Sequence, residues 1–164
     1  MDEVDAEYNG SALYWSAAYG YDHFIVPLIT AGADVNKPDQ NGVTPICVAA
    51  GNGHTETITA LIASGANMNI PNNNGETPVY MATQFGHSGA VTTLIAAGAN
   101  VNTSDNDGVM PVWVAAQNGD AGIITALTSS GADVNRPRND GVTPAGEEWM
   151  FRCFEEAKEM LPAI

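Results

Sequence analysis

The sequence predicts an all-α protein, an α-solenoid built from stacked helix–turn–helix units. Three observations carry that expectation. Shifted by 33 residues, the chain falls onto itself: NGVTPICVAAGNGHTETITALIASGANMN (41–69) lies over NGETPVYMATQFGHSGAVTTLIAAGANVN (74–102), and both lie over DGVMPVWVAAQNGDAGIITALTSSGADVN (107–135). Glycines mark the period twice, at Gly20, Gly53, Gly86 and Gly119 and again at Gly32, Gly65, Gly98 and Gly131. Within each period, two short segments with apolar residues at helical spacing precede a turn signal such as Asn74-Gly75. A fixed period in this range means one supersecondary unit repeated in a stack.

The unit at 39–71 shows how each element arises. Thr44 suits the N-cap, and Pro45 suits the first helical position, where its missing N–H costs nothing. A first helix is expected over about Pro45–Asn52, with Ile46, Ala49 and Ala50 on one face. Gly53 supplies a left-handed residue to end it. A second helix is expected over about Thr55–Ser64, with Ile58, Leu61 and Ile62 as its apolar stripe and Gly65 as its stop. The connector ANMNIPNNNG then reads as a hairpin with a tight Asn-Gly turn, kept extended by prolines such as Pro38 and Pro71. Both helices are too short to persist alone, so neighbouring units must stabilise one another.

Applied along the chain, the pattern divides it into repeats at about 6–38, 39–71, 72–104 and 105–137 within a single domain. GVTPAGEEW (141–149) starts a fifth copy, which loses the closing Gly to Arg152 and ends in charged FEEAKEMLPAI; 138–164 therefore reads as a C-terminal cap stopped by Pro162. Residues 1–5 read as a short acidic arm. A chain cut from a longer array fits the same pattern. Three departures are visible. Met110 replaces the capping threonine, at a cost of about 1 kcal/mol. Pro27 falls inside a second helix, where a kink or a short first turn is expected. Thr57, Thr59, Thr92, Thr93 and Thr125 are expected on the exposed faces of the second helices.

Charge narrows the partners. Nineteen Asp and Glu oppose five Lys and Arg, for a net charge of −14, and no Lys or Arg occurs between Pro38 and Asn135. Binding to nucleic acid rests on cations that neutralise phosphates, so nucleic acid is not an expected partner. An anionic membrane surface is disfavoured for the same reason. The acidity fits either a basic or polar partner or solubility alone. Cys47 and Cys153 form neither a disulfide framework nor a metal motif. No secretory signal or membrane-length apolar run stands out. The expectation is an intracellular, cytoplasmic protein, the nucleus being compatible, and a monomer.

No catalytic constellation, cofactor motif or metal site is expected. His54 and His87 recur with the period, so they read as structural, bonding across the turn. Stacked equivalents lie roughly 8–10 Å apart, too far to share one metal ion. His54 and Glu56 spell H-x-E, but no P-C-x-x-C follows. There is neither a P-loop nor a G-x-S-x-G elbow. Cys47 has no base beside it in the pattern.

The 33-residue period with its T-P-x-x-x-A-A core, as in Thr44–Ala50, resembles the ankyrin-repeat family over roughly residues 7–150. The resemblance implies a non-enzymatic protein–protein interaction module, acting as an inhibitor, adaptor or effector. The alternative is a structural spacer or regulatory segment of a larger protein. It also implies a site. In that family, partners are bound by the hairpin tips and the exposed side of the first helices, which line a concave groove. Carried over by position, the tips are Gln40 and Asn41, Asn73 and Asn74, Asn106 and Asp107, then Asn139 and Asp140. Beyond each tip Gly come Val43, Glu76, Val109 and Val142. Late in the first helices come Ala18 and Tyr19, Gly51 and Asn52, Gln84 and Phe85, then Gln117 and Asn118. Among these, Phe85 stands out because its repeat-mates are Asn52 and Asn118, so packing does not demand an aromatic there. The family's T-P-L-H histidine is replaced by Tyr14, Cys47, Tyr80 and Trp113. Two readings are open: hydroxyl and indole donors replace the imidazole bond, or the groove has gained an aromatic ledge that adds Tyr80 and Trp113 to the site.

Overall fold

The computed structural model describes residues 11–143, which contain eight helices and no strand element: α1 (Ala12–Ala18), α2 (Asp22–Thr30), α3 (Pro45–Gly51), α4 (Thr55–Ala63), α5 (Pro78–Gln84), α6 (Ser88–Ala96), α7 (Pro111–Asn118) and α8 (Ala121–Ser129). They form four helix pairs in an α-solenoid. The first helices α1, α3, α5 and α7 stack on one another as one layer, and α2, α4, α6 and α8 stack as the second.

Capping sets the helix starts as the sequence leads one to expect. Ser11, Thr44 and Thr77 accept hydrogen bonds from the backbone N–H groups of Tyr14, Cys47 and Tyr80. Met110, at the same position before α7, makes no such bond and is instead fully buried. α2 runs through Pro27 to Thr30 without a break. Pro27 removes one N–H from a helix whose other face is anchored by fully buried Ile25.

Stacking explains the composition of the two layers. Ile46, Ala49 and Ala50 of α3 are fully buried, as are Val79 and Ala82 of α5 and Val112 and Ala115 of α7. Their alanines let the first helices approach closely. The second helices contribute Ile25, Ile58, Leu61, Val91, Leu94, Ile124 and Leu127, all fully buried, each side chain stabilising by about 1.5–3 kcal/mol. Thr57 departs from expectation. It is 1% exposed, at the repeat position of buried Ala90 and Ile123, because that helix position faces the preceding repeat rather than solvent.

Polar ladders tie the connectors together. Asn36 Oδ1 accepts from Asn67 N–H at 2.8 Å, Asn69 Oδ1 from Asn100 N–H at 2.9 Å, and Asn102 Oδ1 from Asp133 N–H at 2.8 Å. Each bond crosses from one repeat to the next. Nearer the tips, the N–H groups of Asn73, Asn106 and Asn139 donate to the carbonyls of Asn41, Asn74 and Asp107. These bonds satisfy backbone groups that sheet or helix would otherwise pair.

Gly75 shows how tight the tips are. Its φ is +85°, and a Cβ there would sit 2.8 Å from the backbone N of Asn106. Gly98 has a similar φ, +92°, but open space around it. Gly98→Ala should therefore cost about 1–2 kcal/mol, the left-handed penalty alone. Gly75→Ala should cost clearly more, because two hairpins must separate. Urea unfolding of the two variants checks the order, and equal losses would mean that the hairpins yield freely.

Candidate functional site

Two rows of side chains border the face formed by the first helices, and the repeat builds each row. The first row is the hairpin tips. In the repeats beginning at 39, 72 and 105, one side-chain oxygen nucleates the turn. Asp39 Oδ1 accepts from Asn41 and Val43 N–H, Asn72 Oδ1 from Asn74 and Glu76, and Asp105 Oδ1 from Asp107 and Val109. The tips at Gln40, Asn41, Asn74, Asp107, Asn139 and Asp140 are exposed, while Val43, Glu76, Val109 and Val142 are half-buried behind them. Asn73 and Asn106 are exposed too, but their amides hold the stack together. Asn73 Nδ2 donates to Gln40 O at 3.2 Å and Asn106 Nδ2 to Asn73 O at 2.9 Å.

The second row is the ends of the first helices. Asn52 Nδ2 donates to Ala18 O at 2.9 Å, and Asn118 Nδ2 to Gln84 O at 3.1 Å. Phe85 takes the same place between them with no polar group to spend, and remains 56% exposed. It leans over Gly51, where an added Cβ would meet Phe85 Cδ2 at 3.7 Å and Met81 Cε at 3.3 Å. Tyr19 is 62% exposed. Gln84 and Gln117 are exposed beside this row, whereas Ala18 is half-buried and Gly51 buried. Half-buried Trp15, Val48 and Met81 supply apolar floor from the same helices.

The four residues at the variant position point elsewhere. Tyr80 is 5% exposed and Trp113 1%. Tyr80 OH donates to Asp105 Oδ2 at 2.8 Å, and at the equivalent junction Asp39 helps to raise the Tyr14 pKa. The Tyr80 bond ties a first helix to the hairpin of the next repeat. Trp113 instead faces Arg138, whose guanidinium lies 5.1 Å from the ring centroid; its buried Nε1 has no acceptor, since a cation stands where the other junctions have Asp39, Asn72 and Asp105. These side chains are packing and junction groups: Cys47, Tyr80 and Trp113 are buried and form no exposed aromatic ledge along the first helices. His54 and His87 are junction groups as well. Their Nε2 atoms donate to Ala18 O at 3.0 Å and Gly51 O at 2.9 Å, reaching the preceding repeat rather than merely crossing their own turn.

The repeat unit is thus a pair of antiparallel helices with a projecting turn, recurring every 33 residues. Residues 13–105, more than half of the chain, match the family model for ankyrin repeats in three copies. The chain belongs to the ankyrin-repeat family. No curated protein matches it. Ankyrin repeats are generally protein–protein interaction modules and are typically non-catalytic.

Among the described residues, no group of three or more His, Cys, Asp or Glu is placed to hold a metal ion, and no helix is long and apolar enough to cross a membrane. An open cleft of about 540 Å³ lies between two neighbouring ankyrin hairpins, lined by Asp107, Val109, Arg138, Asn139 and Asp140. Arg138 pairs there with Asp140, and that hydrogen bond lowers the Asp140 pKa. Sequence reasoning missed one feature of the surface. Tyr21, Phe24 and Val26 are all exposed at the first repeat, and rings from Trp15 through Tyr19 and Tyr21 to Phe24 are in successive contact. Phe24 holds the stack-facing position occupied by Thr57, Ala90 and Ile123, so the signal was present in the alignment of the repeats.

The junction groups make a pH prediction. Burial, reinforced by Asp39, pushes Tyr14 from 10.0 up to about 12. Burial, reinforced by Glu76 and Asp39, pushes the Cys47 thiol from 9.0 up to about 12. Tyr80 is raised as well, by burial first and then by its bond to Asp105. All three are neutral when protonated, and the folded state holds those protons more tightly. Above pH 9 the unfolded chain binds fewer protons than the folded one, so stability falls as pH rises. The urea midpoint should be flat near pH 8 and decline between about pH 9 and 12. Tyr14→Phe should flatten part of that decline, and a midpoint insensitive to pH in that window would show that these groups ionise freely in the fold.

Proposed function

We propose that the chain is a non-enzymatic interaction module, a single ankyrin domain of four repeats with 138–164 as its capping repeat, that binds a partner protein or peptide in its concave groove. It acts as an adaptor, inhibitor or effector inside the cell by occupying the partner's surface. The observation that carries this reading is Phe85. At its repeat position Asn52 and Asn118 spend their amides on the stack, while Phe85 leaves an aromatic ring more than half exposed. Exposed aromatics at a groove are the usual anchors of interfaces. Tyr19, Gln84 and Gln117 on the helix row, with Gln40, Asn41, Asn74 and Asp107 at the tips, complete the proposed contact surface. Asn73, Asn106 and Asn118 border it while holding the repeats together. Glu76, Val43 and Val109 support the tips from behind.

The test separates contact from folding. A variant carrying Asn74→Arg, Gln84→Arg and Phe85→Ala changes only exposed side chains, none with a bond holding the stack. Its urea midpoint should stay within about 0.5 kcal/mol per site of the parent, as surface changes do. Affinity capture from source-cell lysate should retain a protein on the parent chain and lose it on the variant. Identical capture by both would refute the groove as the binding surface.

A further inference from the structure

The two exposed rings of the helix row define a spacing. Tyr19 and Phe85 both follow a first helix as its C-cap, with nearly identical backbone angles (φ −97°, ψ 1° and φ −97°, ψ 8°). Equal backbone geometry at equivalent repeat positions sends both Cα–Cβ bonds off in the same direction. The residue between them, Asn52, is tied back to Ala18 O, and the residue beyond, Asn118, to Gln84 O. Apolar anchors therefore occur at alternate repeats only. α1 packs on α3 and α3 on α5, so the anchors are two helix spacings apart, roughly 16–20 Å.

Resting on the groove reading above, we infer that the ligand is an extended, basic segment whose two apolar or aromatic side chains lie about five or six residues apart, one against Tyr19 and one against Phe85. An extended chain advances about 3.3 Å per residue, which covers that distance in five or six residues. Between the rings, half-buried Val48 and Met81 offer apolar surface. That suits one or two side chains of an extended strand and is too little for the continuous stripe a docked helix presents. Tyr19 also stacks on Trp15, with centroids 5.8 Å apart and planes at 22°, and lies 5.9 Å from Tyr21. The first anchor is thus a platform of rings, suited to an aromatic or long aliphatic side chain. The basic character follows from charge. Asp39, Glu76, Asp105 and Asp107 lie in the hairpins that border the groove, and the stretch from Pro38 to Asn135 holds no Lys or Arg. A cationic segment is steered toward such a surface and an acidic one repelled.

The experiment uses the full chain and fluorescein-labelled peptides of about 16 residues, made of Gly, Ser and Lys, with two leucines placed from four to twelve residues apart. Fluorescence anisotropy should give the tightest binding at a separation of five or six. Phe85→Ala and Tyr19→Ala should each weaken that peptide at least tenfold without moving the urea midpoint. Replacing its lysines with glutamates should abolish binding. An optimum near eleven would mean a docked helix and overturn the extended ligand. Affinity that ignores leucine spacing yet falls with Phe85→Ala would overturn the two-anchor inference while leaving groove binding intact. Binding untouched by either ring substitution, or no binding by any peptide, would overturn the inference as well, and the former would count against the groove reading itself.

Discussion

Replacing Ile58 with alanine lowers the stability of this domain by about 2–5 kcal/mol, the range for buried Leu or Ile truncated to Ala. Ile58 is fully buried on α4, and its equivalents Ile25, Val91 and Ile124 are fully buried too. α4 is packed on three sides, against α3 of its own pair and against α2 and α6 of the neighbouring repeats. A cavity at Ile58 is therefore walled by elements that cannot all move inward at once, which places the cost in the upper half of the range. In a solenoid, stability is a sum of repeat and interface contributions, so the lesion weakens both junctions of the second repeat. Urea unfolding followed by circular dichroism gives the number. A loss under about 1 kcal/mol would mean that the stack closes over the gap. Phe85→Ala, which removes a larger but exposed side chain, should cost far less.

Replacing Asp105 with alanine removes three hydrogen bonds with a single carboxylate. Oδ1 accepts from Asp107 N–H at 2.9 Å and Val109 N–H at 2.8 Å, and Oδ2 accepts from Tyr80 OH at 2.8 Å. Tyr80 is buried, so its hydroxyl would lose the Asp105 acceptor, a cost of about 1–3 kcal/mol, and each turn bond adds about 0.5–1.5 kcal/mol. The total expected loss is about 2–6 kcal/mol. Asp105→Asn keeps an Oδ1 for the turn, as Asn72 does one repeat earlier, and should recover roughly half. Adding Tyr80→Phe to Asp105→Ala should cost little more than Asp105→Ala alone, because the two groups share one bond. Fully additive losses in that cycle would show that Tyr80 and Asp105 stabilise the fold independently.

The two substitutions mark where sequence reading succeeds and where it stops. Ile58 is legible as core because an apolar stripe at helical spacing recurs in every period. Asp105 is legible as a turn residue, since Asp39 and Asn72 stand 33 residues apart from one another and Asn72 from it. Its bond to Tyr80 is not legible, because the partner belongs to the preceding repeat and the contact exists only once the repeats stack. Asn73 and Asn106 illustrate the same limit. Composition marks them as turn residues on a tip, and they do lie there, but which way the amide points is decided by a carbonyl on the adjacent hairpin. Thr57 reads as surface by its polarity and is buried by its neighbour.

By itself the sequence determined the unit. The period, the helix starts at Thr44 and Thr77, the missing cap at Met110 and the left-handed glycines follow from backbone sterics and local hydrogen bonding, which act within a few residues. Only the tertiary structure decided which side chains the finished stack leaves to solvent. Tyr80 and Phe85 are both aromatic, both on α5 or its cap, and five residues apart. Stacking turns Tyr80 into a buried strut between two repeats and leaves Phe85 exposed over Gly51. The physical reason is that exposure belongs to the junction between units, and a single unit's sequence does not contain its neighbour.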